Sequence, residues 1–389
     1  ENQVRQREME RAMGDDDEEE RVLCVGIDGG GTKTKCVVSS HPSFRLTFPL
    51  DPVGGIEDRS PDGHHWPLVS ESVSGSANSN SVGVEVAVKN VVDACCSALK
   101  KFFPDLETRT KVKASHLFIC VSTSGVDRPG DEKPFVEGLQ KACARLLKRL
   151  VNQVHIKVVN DAFAALSAGV YGSQPKTLDW KLDALAGIVC IVGTGTIAFG
   201  VKESGGKLET ARVSGWGPAF RDTGSGYDLG YKLLCAVARC HDGRDERKTV
   251  LTEKVLTHLQ LDDPTQLITW AYSSKDWAHI AALAPFCLQA ASEGDEVAMD
   301  IVATAAHQLA HSISVLKRKL FEDIGAFVLP IVLVGGLMES ENILVDLLED
   351  KLRRDEPSCA IIHPTCDAAQ GAAIMAQKCF IEEKKEGAI

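Results

Sequence analysis

Val22-Leu-Cys-Val-Gly-Ile-Asp28-Gly-Gly-Gly-Thr-Lys-Thr-Lys-Cys-Val-Val38 reads as an apolar strand, a run of glycines and a second strand. A GxGxxG dinucleotide turn or a GxxxxGK[ST] phosphate loop would lead into a helix, and Lys33 to Val38 has no helical period. A hairpin that cradles phosphate is the favoured reading. Gly29, Gly30 and Gly31 can bring bare N–H groups close to an anion, and Thr32 adds a hydroxyl. Asp28, at the end of the first strand, suits a metal ion or its water. An ordinary β-hairpin closed by a glycine turn is the plain alternative.

The pattern occurs twice. Gly187-Ile-Val-Cys-Ile-Val-Gly193-Thr194-Gly195-Thr196-Ile-Ala-Phe-Gly-Val201 is again strand, Gly/Thr turn, strand. Two such turns, each heading its own half of the chain, suggest a duplicated fold whose halves grip one polyphosphate across a cleft.

Bulk composition is ordinary for a globular protein. The chain has 389 residues, 44% hydrophobic and 25% charged, enough for two domains with buried cores. A net charge of −11 provides no basic footprint for nucleic acid or an anionic membrane. The apolar stretch Ile324 to Met338 is interrupted by Pro330 and glycines and falls short of the roughly 18 residues of a span. Thirteen cysteines without framework spacing, and no apolar leader segment, point to a reducing cytoplasm. Cys359, His363 and Cys366 are metal-like in spacing but read as ordinary packing.

Along the chain, residues 1–20 form a polar, acidic leader expected to be flexible. Residues 22–50 look like a strand meander, and His41 to Trp66 a long surface loop or hairpin extension. Helical spacing marks 83–101 and 135–150, and strands are expected at 116–122 and 156–160. Gln174 to Leu185 is a plausible hinge. Beyond it, helices are expected near 226–240, 248–260, 276–292 and 295–321, then a strand at 329–334 ended by Gly335-Gly336, and a last helix from Asp367 to Lys378. Alternating strands and helices indicate an α/β fold. The expected domains are 21–173 and 174–366, with 367–389 a C-terminal helix returning to the first.

Asn160-Asp161-Ala162 places a carboxylate where a strand gives way to a helix. Asp161 is either a helix cap or a general base. Gly215-Trp216-Gly217-Pro218-Ala-Phe-Arg221-Asp222-Thr223-Gly224-Ser225 is a shaped polar loop, with Asp222 either capping the next helix or binding sugar hydroxyls. Asn78, in Gly75 to Gly83, and Ser124-Gly125 offer further polar groups.

Together these segments resemble the actin, Hsp70 and sugar-kinase superfamily, and within it the N-acetylglucosamine kinases and related activator-type ATPases. The resemblance runs from about Val22 to Ala376. It implies a duplicated actin-like (ribonuclease H-like) ATPase fold and an ATP- and Mg²⁺-dependent kinase of the 6-hydroxyl of N-acetylglucosamine, in amino-sugar salvage toward UDP-N-acetylglucosamine. Asp161 would be the base. Asn78, Ser124, Gly125, Gly215, Trp216, Gly217 and Asp222 would line the sugar site. Gly29, Gly30, Gly31, Thr32, Lys33, Gly193, Thr194, Gly195, Thr196, Ala284, Gly335 and Gly336 would surround ATP, with Asp28 beside the metal. The resemblance also implies a homodimer. Relatives usually read GDEGSGYWIG where this chain has Arg221 to Gly230, so Thr223 and Asp228 leave the sugar's identity open, with glucosamine or N-acetylmannosamine as rivals. An activator-type ATPase acting on a partner protein is the reading from another class, and it lacks the paired cysteines expected for a shared cluster.

Overall fold

The structure is a computed structural model, and its described residues are 22–31, 33–40, 68–102, 114–126, 128–147, 151–172, 185–204, 207–274, 276–322 and 328–387. The acidic leader, the 41–66 extension, Thr32 and nearly all of the 174–185 stretch lie outside them.

Contacts divide the chain into two units, residues 1–164 with 368–389, and residues 165–367. The division falls inside a helix, between Ala164 and Ala165, and not in the polar stretch at 174.

The first unit contains β1 (Val22–Gly29), β2 (Thr34–Ser40), β3 (Leu68–Ser74), α1 (Ser79–Val82), α2 (Val84–Phe102), β4 (Ala114–Thr123), α3 (Lys133–Leu146), β5 (Val151–Val159) and the start of α4 (Asp161–Gly172). Its strands lie in the order β3-β2-β1-β4-β5. β1, β2 and β3 are antiparallel neighbours, whereas β1, β4 and β5 run parallel. The third strand of the expected meander is thus Leu68–Ser74, after the extension, and β5 is longer than 156–160.

The second unit contains β6 (Ala186–Val192), β7 (Thr196–Ser204), β8 (Lys207–Ser214), α5 (Gly226–His241), α6 (Leu251–Leu259), α7 (Leu267–Tyr272), α8 (Trp277–Ala281), α9 (Ala284–Ser292), α10 (Glu296–Leu320), β9 (Leu329–Val334), α11 (Ile343–Asp355) and β10 (Cys359–Ile362). The sheet order β10-β9-β6-β7-β8 is the first unit's order repeated, with the same antiparallel hairpins and parallel crossovers. The repeated glycine turns therefore head repeated sheets. Residues 276–292 form two helices, because Pro285 has no N–H for a helical bond and its ring would meet the Ala281 carbonyl four residues back.

Both sheets are covered on two faces, which is why their central strands are apolar throughout. Leu23, Val25 and Ile27 pack into a core with α2 and α3 residues, while Val22 and Cys24 point the other way, toward α12 (Ala368–Lys385). Small residues allow α12 to lie on β1. A Cβ at Gly26 would sit 2.1 Å from the Ala369 carbonyl oxygen and 2.2 Å from the Ala373 nitrogen. In the second unit α4 does the same, where a Cβ at Gly169 would come 2.4 Å from a Val332 methyl. Gly26→Val must push α12 off the sheet, so it is expected to cost about 3 kcal/mol, read as a lowered denaturation midpoint.

Candidate functional site

In the first unit the glycine turn, the end of β4 and the start of α4 are tied together. The Gly29 carbonyl accepts from the Ser124 N–H at 3.2 Å, and the Gly30 carbonyl from the Ser76 hydroxyl and the Ala77 N–H, each at 3.2 Å. The Thr123 hydroxyl reaches the Ala77 carbonyl at 2.9 Å. The parallel register sets Asp28 beside Ser122 and Gly29 beside Thr123, so the end of β1 is level with the end of β4.

Asp161 sits in the first turn of α4, where the helix dipole favours a carboxylate. Asn160, the residue before it, caps the helix, its Oδ1 accepting from the Ala162 N–H at 3.0 Å. The Asp161 Oδ2 instead accepts from the Ser124 hydroxyl at 2.5 Å. Asn78 caps the short α1 through its Oδ1 and the Asn80 N–H (3.0 Å), and that same oxygen would lie 3.5 Å from a Cβ on Gly125. Gly125 has φ of +85°, and Ser79 donates to its carbonyl at 3.2 Å. Asn78, Ser124, Gly125 and Asp161 thus converge beside the glycine turn, as one chain of contacts. Lys33, next in the turn, is exposed.

The second unit builds the counterpart. The Gly193 N–H donates to the Gly195 carbonyl at 2.9 Å, closing the turn. Behind it, the start of α5 supplies the Gly226 N–H to the Gly193 carbonyl (2.8 Å) and the Tyr227 N–H to the Thr194 carbonyl (3.1 Å). Gly335 and Gly336 follow β9 directly alongside. A Cβ at Gly335, whose φ is +102°, would lie 2.5 Å from the Val192 carbonyl oxygen, and that oxygen accepts from the Leu337 N–H at 3.1 Å. Burial pushes the Cys190 thiol, under this turn, up to about 12, so it stays neutral.

Several of the other expected site residues are engaged within the second unit itself. Thr194 is exposed at the turn, but Thr196 is buried and gives its hydroxyl to the Ile191 carbonyl at 3.0 Å. Ala284 is only 1% exposed, its methyl packed in the second unit's core. Asp222 is also buried, and its oxygens accept from the Trp216 N–H (2.9 Å), the Gly217 N–H (2.8 Å) and the Ser214 hydroxyl (3.3 Å). Asp222 folds the 214–217 loop over itself and leaves capping of α5 to Ser225, which accepts from the Asp228 N–H. Asp228 accepts from the Gly224 N–H (3.0 Å) and pairs with Lys232 (2.7 Å). Ser225, Gly226 and Tyr227, which brace the second turn, were readable in sequence only as turn chemistry.

The glycines separate into two groups. Gly26, Gly169, Gly230 and Gly335 have backbone or side chains pressed against them. At Gly31, Gly193 and Gly336 an added Cβ meets nothing within 4 Å, and none of these three has a positive φ. Neither packing nor conformation asks for glycine there. Gly31→Ala should keep the protein's stability yet weaken ATP binding roughly tenfold or more, as charge-assisted contacts lengthen. Calorimetric titration alongside thermal denaturation checks both halves.

Comparison with known proteins agrees with this architecture. A protein from Dictyostelium discoideum named N-acetyl-D-glucosamine kinase is 32% identical over 357 residues, covering 91% of this chain and 97% of that one. An N-acetylmuramic acid/N-acetylglucosamine kinase from Clostridium acetobutylicum is 30% identical over 354 residues, again covering 91% and 97%. The solved structure of a candidate N-acetylglucosamine kinase from Chromobacterium violaceum superposes with a TM-score of 0.59 at 22% identity, over 91% of this chain and 99% of that one, a likeness of fold. Residues 25–376 match the BadF/BadG/BcrA/BcrD ATPase family, a span that includes both glycine turns, Asp161 and the first half of α12. With its duplicated sheets and paired turns, the chain belongs to the BadF/BadG/BcrA/BcrD ATPase family.

Proposed function

We propose that this protein transfers the γ-phosphoryl group of ATP to the 6-hydroxyl of N-acetyl-D-glucosamine, giving N-acetylglucosamine 6-phosphate and ADP. The observation that carries the reading is Asp161, held by the Ser124 hydroxyl at the start of a helix whose cap is Asn160, next to a glycine turn with open space at Gly31. The two curated relatives named for N-acetylglucosamine phosphorylation support the choice of acceptor. The product would enter amino-sugar salvage toward UDP-N-acetylglucosamine.

Phosphoryl transfer asks the protein mainly for positioning, charge neutralisation and a place for the acceptor's proton. Asp161 takes that proton, and the Ser124 hydroxyl fixes which carboxylate oxygen faces the sugar. Asn78 and Gly125 border the same spot and orient the sugar. At each unit's turn by itself there is room for a phosphate to approach, at Gly31 in the first and at Gly193 and Gly336 in the second. Asp28, a partly exposed carboxylate at the end of β1 beside the open Gly31, has the hard oxygen donors that Mg²⁺ takes, usually through water. Mg²⁺ would supply charge neutralisation on the phosphates.

The test is ATP consumption across hexoses, 2-amino sugars and their N-acetylated forms. A clear preference for N-acetylglucosamine is expected, with N-acetylmannosamine and glucosamine poorer. Preference for another sugar overturns the acceptor. Hydrolysis indifferent to every sugar overturns the kinase reading in favour of an ATPase acting on a partner protein. We further propose that the enzyme works as a homodimer, to be checked by light scattering.

A further inference from the structure

One hydroxyl in the first unit is bonded both to the glycine turn and to Asn78. Ser76, in the bend between β3 and α1, donates its Oγ–H to the Gly30 carbonyl at 3.2 Å, and the same oxygen accepts from the Asn78 N–H at 3.3 Å. A hydroxyl has one hydrogen and two lone pairs, so both bonds form at once. The serine is itself held. Its carbonyl accepts from the Asn90 side-chain amide of α2 at 2.7 Å, and the Thr34 hydroxyl fixes the residue before it by donating to the Gly75 carbonyl at 2.6 Å. A Cβ at Gly75 would fall 2.8 Å from the Asn90 nitrogen, so the bend is closed against α2.

The bond to Gly30 has leverage because a peptide is a rigid plane. The Gly30 carbonyl and the Gly31 N–H belong to one peptide unit and, in the trans form, point in opposite directions. Groups that grip the carbonyl therefore aim the N–H. The Ser76 hydroxyl and the Ala77 N–H grip it, each at 3.2 Å, while the Gly30 N–H closes the turn onto the Lys33 carbonyl at 3.0 Å. The N–H so aimed is that of Gly31, which is exposed and has open space beside it. Hydrogen bonds in series polarise one another, so an anion taken up at the Gly31 N–H makes the Gly30 oxygen a better acceptor for Ser76.

At its other end Ser76 holds the backbone of Asn78, whose side-chain oxygen caps α1 and borders Gly125. Gly125 follows Ser124, the residue that holds Asp161. We infer that Ser76 is a positioning residue that couples the two substrates: nucleotide phosphate at the first glycine turn sets Asn78 for the sugar, and the sugar sets the turn for nucleotide. This inference rests on the kinase reading proposed above. Linkage makes the coupling reciprocal, one factor seen from either ligand. A single neutral hydrogen bond corresponds to roughly two- to tenfold in that factor.

Calorimetric titration of the full chain with N-acetylglucosamine, with and without a saturating non-hydrolysable ATP analogue and Mg²⁺, tests it. In the wild type the analogue should tighten sugar binding roughly tenfold, and Ser76→Ala should cut that factor to about twofold while changing the sugar's Kd without nucleotide by no more than about twofold. Ser76→Thr, which keeps the hydroxyl, should restore the coupling. Titrating the analogue with and without sugar must return the same factors. Ser70→Ala removes another hydroxyl of the same unit, one that donates to the Ala98 carbonyl at 2.9 Å, and should lower the thermal midpoint yet preserve the wild-type coupling. Coupling unchanged in Ser76→Ala, or lost equally in Ser70→Ala, overturns the inference alone, as does a wild type that phosphorylates the sugar but binds the two ligands independently. Absence of sugar phosphorylation by the wild type overturns the kinase reading and this inference with it.

Discussion

Asp161→Asn is expected to lower phosphoryl transfer by roughly 10²- to 10⁴-fold while leaving ATP binding intact, the range associated with a positioned general base. The substitution keeps the side chain's size and its place in the first turn of α4. The Ser124 hydroxyl still finds an acceptor in the amide oxygen. What is lost is the ability to take the acceptor's proton. Because Asn160 caps the helix, the exchange should hardly alter stability, and that separates the two roles the sequence left open. Parallel measurements of turnover, of affinity for a non-hydrolysable ATP analogue and of the thermal midpoint decide it. Normal turnover in the variant would remove Asp161 from the mechanism.

Asp222→Ala is expected to damage the second unit at two levels. Its carboxylate is buried and accepts from the Trp216 and Gly217 N–H groups and from Ser214. Hydrogen bonds to a charged group contribute about 1.5–3 kcal/mol, and unpaired buried donors cost a similar amount. A loss of about 3 kcal/mol is therefore expected by chemical denaturation, accompanied by a higher KM for sugar as the 214–222 loop loosens. Asp222→Asn distinguishes the mechanism further, because its NH₂ would face the N–H of either Gly217 or Trp216. A variant of unchanged stability but weakened sugar binding would instead identify Asp222 as a direct sugar contact.

Much of the fold was legible because its signals are local. The strand-turn-strand pattern at Asp28 and again at Gly193 depends on residues close in sequence, and the structure has both hairpins, heading sheets of identical order. Elements set by long-range packing were harder to read. β3 follows the 41–66 extension, and the helix expected at 276–292 breaks at Pro285. The return of α12 to the first unit followed from the family resemblance, and the reason it fits is the bare backbone at Gly26.

The site shows the same division. Sequence by itself determined which residues carry hydroxyls, carboxylates and glycines next to strand ends, and so the class of chemistry on offer. It determined none of the assignments between rival roles. Asp161 and Asp222 each stand at the edge of a helix, where Asp161 reads as cap or general base and Asp222 as cap or sugar ligand. What only the tertiary structure supplies is the set of groups brought to them. Ser124, on a different strand, holds Asp161, whereas the folded-back N–H groups of Trp216 and Gly217 take up Asp222. A carboxylate's role depends on which partners reach it in space, and hydrogen bonds are too short-ranged for sequence spacing to foretell them.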